Sequence, residues 1–130
     1  MSIERVVTES GKFMYDRFHF AEASKSHGHI FCSGVIGQDA KGKLPEDITE
    51  EFRNAWRKID ALLVEAGSDL AHIVELTSYH VGLQTHMADF MAVRDEFLQE
   101  PWPAWTAIGI TELAAPGAHV EIKVVARLLD

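Results

Sequence analysis

The clearest pattern in the chain is a repeat of apolar residues three and four positions apart in EEFRNAWRKIDALLVEAGSD. This spacing places them on one stripe of an amphipathic helix. Asp47, with Glu50 three positions later, predicts a variant of the capping box at the start of the helix, and Gly67 supplies the residue that follows its last turn. The stripe consists of Phe52, Ala55, Trp56, Ile59, Leu62, Leu63 and Ala66.

A second helix is predicted over THMADFMAVRDEFLQE. Thr85 has a side chain suited to an N-cap, and Pro101 cannot continue a helix, so these two residues are expected to bound it. The side chains expected to face inward are Met87, Phe90, Met91, Phe97 and Leu98.

Four other segments have the composition of strands: HIFCSGVIG at 29–37, HIVELTSYHVGL at 72–83, AWTAIGITEL and HVEIKVVARLL. They are rich in β-branched and aromatic residues and are separated by polar or Pro-Gly turns. In the second segment one face carries Ile73, Glu75, Thr77, Tyr79 and Val81, and the other carries Val74, Leu76, Ser78 and His80. Neither face is fully polar, so both are expected to be covered.

The order of these elements predicts an α+β or α/β sandwich in which a mixed sheet carries two helices on one face. No linker or repeat interrupts the chain, so residues 1–130 are expected to form one domain. In the last strand an apolar set alternates with Glu121, Lys123, Val125 and Arg127. The apolar set is expected to meet the helices, and the charged set to point into a subunit interface or a cleft.

Composition narrows the classes of function. The 130 residues carry a formal charge of −8, from 12 Lys and Arg against 20 Asp and Glu. Nucleic-acid binding relies on clustered basic residues, so this charge disfavours RNA or DNA as the main partner. No apolar run is long enough to span a bilayer, and MSIERVVTESGKF lacks the basic, apolar and small-residue order of a signal peptide, so no membrane association and a cytoplasmic location are expected.

The side chains that could bind metal or act as nucleophiles give weak signals. Cys32 lies in an apolar strand and is expected to be buried and unreactive. His27 and His29 are expected to share a strand face, but their spacing fits no standard zinc pattern, and no metal is expected. His80 and His119 are candidate donors near the cleft, although histidines at such positions more often have structural roles.

Four stretches, in this order, resemble the RidA/YjgF family: FCSGVIG, EEFRNAWRKIDALLVEAGSDLAHIVELTSYHVGL, FMAVRDEF and PAWTAIGITELAAPGAHVEIKVVA. The resemblance runs from about Gly28 to Leu128. It implies a chorismate-mutase-like fold assembled as a homotrimer, with clefts between adjacent subunits. It also implies hydrolysis of reactive imines and enamines to ketones and ammonia, without a metal or cofactor.

The resemblance carries over to single positions. Glu121 matches the family's glutamate, which positions or activates the attacking water, and Ser33 with Gly34 matches its pocket wall. Trp105 stands where the family has an arginine that pairs with the substrate carboxylate. An indole cannot make that bidentate contact, so a neutral or aromatic ligand is expected.

The remaining carried-over positions are less well matched. Ala107 occupies a position that is often cysteine in the family, and Phe20, or Phe18, supplies the aromatic residue near the N-terminus. Lys123 replaces a residue that is often acidic.

Three functions therefore stay open. The first is hydrolysis of an imine or enamine with altered specificity, with Glu121 as the catalytic residue and Trp105, Ser33, Gly34, Phe20 and Ala107 around the ligand. The second is a trimer that binds a small carbonyl, imine or aromatic molecule without catalysis. The third is the endoribonuclease activity historically attached to the family, which the negative charge disfavours. Trp105 is also interpreted, with comparable weight, as a core residue of the trimer interface.

Overall fold

The computed structural model describes residues 2–130. Within that range the chain forms one seven-stranded sheet and three α-helices. The strands are β1 (Glu4–Val6), β2 (Ala23–Ser26), β3 (His29–Cys32), β4 (Val35–Ile36), β5 (Ile73–Val81), β6 (Ala104–Ile110) and β7 (Val120–Arg127). The helices are α1 (Lys12–Phe18), α2 (Ile48–Ala66) and α3 (Leu83–Phe97), with short 3₁₀ turns at Glu9–Gly11 and Leu70–His72.

The sheet is mixed, and its strands lie in the order β1-β2-β3-β7-β5-β6, with β4 also paired to β7. All pairs are antiparallel except β5 with β6, which run parallel because α3 crosses between them. Strand β7 therefore lies in the middle of the sheet, and β6 is an edge strand.

The two long helices cover one face of this sheet, which confirms the predicted fold class. The apolar set of β7, namely Val120, Ile122, Val124 and Ala126, is buried against them. The alternating set of β7 lies on the opposite face, where no helix of residues 2–130 covers it and Lys123 and Arg127 are exposed. Within one chain, only one of the two sheet faces is therefore covered.

Helix α2 has the stripe that its sequence predicts, since all seven apolar residues of that stripe are buried. The Asp47 side chain accepts a hydrogen bond from the Thr49 backbone N–H, so it is the N-cap, and Gly67 ends the helix in the left-handed region with φ of 99°. Glu50 does not complete a capping box. Its carboxylate instead pairs with Arg53 at 3.3 Å and Arg57 at 2.7 Å.

Helix α3 differs from the prediction at its start and on its inner face. Gly82, not Thr85, is the N-cap, and the helix is kinked at His86, whose φ and ψ are −129° and 21°. The buried residues are His86, Phe90 and Val93, while Met91 is exposed. The kink rotates the first turn relative to the rest, so a single helical period does not describe the inner face.

Three further differences concern the strands and the N-terminus. The predicted strand 29–37 is interrupted at Ser33-Gly34, which separates β3 from β4. The register of β5 with β7 shifts between Ile73 and Glu75, so Ile73 and Leu76 are both buried and the two residues between them are exposed, contrary to strict alternation. Strands β1 and β2 and helix α1 were not predicted, because their sequences have no regular apolar period and α1 buries no residue.

No helix among residues 2–130 has the length and apolar character required to cross a membrane.

Two adjacent aliphatic residues of α2 give a matched test of the core. Leu63 is fully buried, whereas Val64 is 62% exposed. We expect Leu63→Ala to lower the free energy of unfolding by about 2–5 kcal/mol, because it removes buried methyl groups and leaves a cavity. Val64→Ala should change it by less than about 0.5 kcal/mol. Urea denaturation followed by circular dichroism at one protein concentration measures both, and equal losses would contradict the placement of the helix stripe.

Candidate functional site

Glu121 lies in the middle of the sheet on the face that the helices leave open. In the β-ladder it is paired with Tyr79 of β5 and Ile36 of β4, and its side chain is half-buried. Its carboxylate lies directly against Gly34, where an added β-carbon would overlap it. Position 34 therefore has to be glycine for the carboxylate to adopt this position beside the backbone.

Ser33 and Phe20 lie in the same region as Glu121. The Ser33 hydroxyl donates to the carbonyl of Ala21 at 2.7 Å, and the Ser33 backbone N–H donates to the carbonyl of Glu22 at 2.9 Å. Phe20 precedes this anchored segment and is 39% exposed. The interruption between β3 and β4 thus brings four predicted residues, Phe20, Ser33, Gly34 and Glu121, into one part of the molecule.

Trp105 and Ala107 lie elsewhere, on the helix side of the sheet. Trp105 is paired in the β5–β6 ladder with Leu76, which is buried under the helices, and its ring lies 6.0 Å from that of Phe90. The indole Nε1–H donates to the Ser78 hydroxyl at 2.9 Å. The polar group of the indole is therefore already occupied inside the chain, and Trp105 offers a ligand only its apolar ring.

The hydrogen bond from Trp105 continues through Ser78 to His80. Ser78 Oγ lies 2.7 Å from His80 Nε2, and both residues are fully buried. If Ser78 accepts from Trp105 and donates to His80, the His80 proton resides on Nδ1, which has no partner within residues 2–130. Burial, reinforced by nearby His86, lowers the pKa of His80 to about 4. His80 is therefore a neutral structural histidine at neutral pH and not a cleft donor.

A cation lies against Trp105. The guanidinium carbon of Arg94, on α3, is 4.8 Å from the centre of the Trp105 ring and 5.4 Å from that of Trp102. The two indoles and Arg94 form a stack at the edge of the sheet, which we call the Arg94 stack. Nothing in the sequence distinguishes Arg94, because it is one polar position of an amphipathic helix and its contact with the indoles depends on how α3 packs on β6.

The candidate residues thus form two groups on opposite faces of one chain. Trp105 shares its face with Val124, and the odd spacing from Val124 to Glu121 along β7 places the carboxylate on the other face. Two surface hollows, of about 410 and 550 Å³, are lined by no residue of either group. One is lined in part by Leu70 and Phe97 and the other by residues around Pro116. A single chain therefore does not bring Glu121 and Trp105 together.

The other histidines have structural surroundings. His119 donates its backbone N–H to the buried carboxylate of Glu51 at 2.7 Å, and its Nδ1 lies 2.8 Å from the same group. Glu51 thereby ties α2 to the start of β7. His27 lies in the turn between β2 and β3 with a φ of 49°, so it does not share a strand face with His29, contrary to the prediction.

Metal-binding and thiol chemistry have little support among residues 2–130. That range holds no group of three or more His, Cys, Asp or Glu side chains placed to bind a metal ion. Cys32 is buried, as predicted, and burial together with the charge of Glu22 raises the pKa of its thiol to about 12. A thiol with that pKa is a poor nucleophile near neutral pH.

Comparison with known proteins gives the family. A sequence profile described as Endoribonuclease L-PSP matches residues 14–128. The RutC family protein YjgH of Escherichia coli is 34% identical over 116 residues, which cover 88% of this chain and 87% of that protein. The chain belongs to the RidA/YjgF family.

Solved structures agree with this membership and confirm the RidA/YjgF fold. The structure of protein YJGH has a TM-score of 0.88 and 31% identity, and the match covers 100% of this chain and 99% of that one. A YjgF-family protein from Neisseria meningitidis has a TM-score of 0.82 and 27% identity, with 100% and 98% of the two chains covered.

The family also includes named imine deaminases. The 2-iminobutanoate/2-iminopropanoate deaminase of Capra hircus is 34% identical over 102 residues, which cover 75% of this chain and 71% of that protein. This RidA/YjgF chain is therefore related to enzymes of imine hydrolysis.

The neutral state of His80 predicts a pH dependence of stability. Its pKa in the folded chain, about 4, is below the ordinary value of 6.5, so between these pH values the unfolded chain binds more protons. Stability is then fully present above about pH 6.5 and falls as the pH is lowered towards 4, by about 3 kcal/mol at most. His80→Gln removes this contribution. Urea midpoints at pH 7.5, 6.0 and 4.5 should fall less steeply in the variant, and parallel curves would contradict the assignment.

Proposed function

We propose that this chain forms a homotrimer that binds a small imine, enamine or carbonyl compound in clefts between subunits and hydrolyses the imine or enamine to a ketone and ammonia. Glu121 is the catalytic residue. Ser33, Gly34 and Phe20 line the cleft beside it, and Trp105 and Ala107 line it from the neighbouring subunit. Residues 1–130 act as a single RidA-like domain, and a cytoplasmic location stays a prediction of the sequence.

The observation that carries this proposal is the separation of the two residue groups. Glu121 and Trp105 lie on opposite faces of the sheet, so one chain alone cannot surround a ligand with both. A neighbouring subunit that places its β6 edge over the open face of this one would bring them together. The site is therefore proposed to be complete only in the oligomer.

Exposed apolar side chains support an oligomer. Helix α1 has exposed aromatic residues, among them Phe13 at 64% and Phe18 at 59% exposure, and the open sheet face carries exposed Phe31 and Ile108. Exposed apolar groups on an uncovered sheet face and on a helix that buries no residue are typical of surfaces that bury against another chain. This surface is consistent with a second copy of the chain.

The chemistry follows from the position of the carboxylate. A water held by Glu121 would attack the imine carbon while the carboxylate accepts a proton from it. The imine nitrogen takes up two protons, the one that the carboxylate passes on and the one that the hydroxyl group of the adduct loses as it becomes the carbonyl, and leaves as ammonia. Water supplies both protons and the oxygen, so no electrons are exchanged with a cofactor. The carboxylate lies against Gly34, on the sheet face that the helices leave open.

One observation favours a binding protein without catalysis as the second candidate. The only polar atom of Trp105 is occupied by Ser78, so the position that would hold an arginine provides no hydrogen bond to a ligand. An endoribonuclease has no comparable support, because the formal charge is −8 and RNA binding depends on clustered cations.

The hydrolase proposal predicts that Glu121→Gln removes the activity. Imines are generated in situ by an amino-acid oxidase, semicarbazide traps the imine that remains, and ammonia release is followed. We expect the wild-type protein to accelerate hydrolysis and the variant to be slower by about 10²–10⁴-fold, as for loss of a general base.

Glu65→Gln is the matched control, because Glu65 is an exposed glutamate of α2 far in sequence from the cleft residues. It should retain wild-type activity, and both variants should retain the wild-type molar mass in light scattering. Equal activity of Glu121→Gln and wild type would reject the catalytic role of Glu121. Absence of acceleration by the wild type across alkyl and aromatic imines would favour the binding protein.

A further inference from the structure

We propose that Arg94 binds the carboxylate of the ligand, so that this chain takes small organic acids with a flat apolar body. The inference rests on the proposed function in one respect, since it places the ligand beside Trp105. It reverses the expectation that replacing an arginine by Trp105 leaves the site without a cation.

The guanidinium of Arg94 lies over two indole rings. Its carbon is 4.8 Å from the centre of the Trp105 ring and 5.4 Å from that of the Trp102 ring. Stacking on aromatic rings uses the flat faces of a guanidinium and leaves the N–H groups at its edge for hydrogen bonds. Contact with the two rings therefore uses the face of the guanidinium and leaves its edge N–H groups for other partners.

Part of the Arg94 guanidinium has no hydrogen-bond partner among residues 2–130. Asp95 Oδ1 accepts from Arg94 Nε at 3.1 Å and from Nη2 at 3.0 Å, which occupies one edge of the guanidinium. Nη1 makes no hydrogen bond within residues 2–130 and is not among the buried polar atoms that lack a partner, so solvent reaches it. The edge formed by Nη1 and the second hydrogen of Nη2 matches the two oxygens of a carboxylate.

The side chain of Arg94 is more deeply buried than that of its partner Asp95. The Arg94 side chain is 13% exposed, so its cation is largely removed from water, whereas the side chain of Asp95 is 49% exposed. An exposed carboxylate is screened by solvent and contributes little to an ion pair. A ligand carboxylate that excluded water from the free edge would therefore gain a stronger, charge-assisted hydrogen bond than Asp95 provides.

The same geometry sets the shape of the ligand. Trp102 is 50% exposed although it stacks on Arg94, so part of its ring surface remains open next to the guanidinium edge. A flat apolar group attached to the carboxylate would cover that ring, since indoles pack well against other rings. The ligand class is thus an aromatic 2-imino or 2-oxo acid, in contrast to a small alkyl one.

The competing interpretation is that Arg94 only joins α3 to β6. In that case the protein would not distinguish a carboxylate from an uncharged group of the same shape. The comparison of an acid with its ester separates the two interpretations in the wild-type protein, without any substitution.

The experiment measures binding of phenylpyruvate and of its uncharged methyl ester by calorimetry, with pyruvate as the small acid. We expect the wild type to bind phenylpyruvate more tightly than either of the other two. Arg94→Gln should weaken phenylpyruvate binding by about ten- to one-hundredfold, the range for losing a hydrogen-bonded charge, and leave ester binding within about threefold. Arg94→Lys, which keeps the charge but not the planar fork, should fall between.

Arg57→Gln is the matched control, because Arg57 is an exposed arginine of α2 paired with Glu50. It should bind phenylpyruvate like the wild type, and thermal unfolding should show that every variant is folded. Equal binding of acid and ester by the wild type would overturn the proposal, as would unchanged phenylpyruvate binding in folded Arg94→Gln.

These outcomes are separate from those for catalysis. Binding that depends on Arg94 without any imine hydrolysis would support the carboxylate site and reject the hydrolase. Hydrolysis that depends on Glu121, with no effect of Arg94→Gln on binding or KM, would support the hydrolase and reject the carboxylate site.

Discussion

The alternation of side chains across β5, β6 and β7 is the constraint on which the rest of the structure depends. Three adjacent strands fix one face as core and the other as open surface, and a shift by one residue would exchange them. The buried residues of α2 and the apolar set of β7 hold this register. Sliding β7 by one residue would expose its apolar set to water. Glu121 and Trp105 are separated by this alternation.

Trp105 is held in place by contacts within its own chain. The sequence predicts an apolar wall of the cleft or an interface residue at this position, and in the fold Trp105 packs on Phe90 and donates a hydrogen bond to Ser78. Satisfying its N–H inside the chain avoids the cost of a buried unpaired donor. The guanidinium of Arg94 also lies over its ring. If Arg94 binds the ligand's carboxylate as proposed, the positive charge of the site comes from helix α3 and not from strand β6.

The sequence predicts the parts of this protein that depend on local period, and not the parts that depend on packing between distant segments. The stripe of α2 follows from its spacing, and the fold class and family follow from the order of elements and the RidA-like motifs. The Gly82 cap and the kink at His86 were missed, because Thr85 has the chemistry of a cap and nothing local marks the kink. Arg94 and Ser78 were missed as partners of Trp105, since their contacts depend on the parallel β5–β6 register and the docking of α3.

The central claim is that one ligand contacts both groups of residues, each group from a different subunit. A crystal structure of the assembled protein with phenylpyruvate bound tests this most directly. We expect the ligand to lie between neighbouring subunits. It should contact Glu121, Ser33 and Gly34 of one subunit and Trp105 and Arg94 of the other. A ligand enclosed by residues of one chain, or an assembly in which the Arg94 stack of each subunit faces away from its neighbour's Glu121, would contradict it.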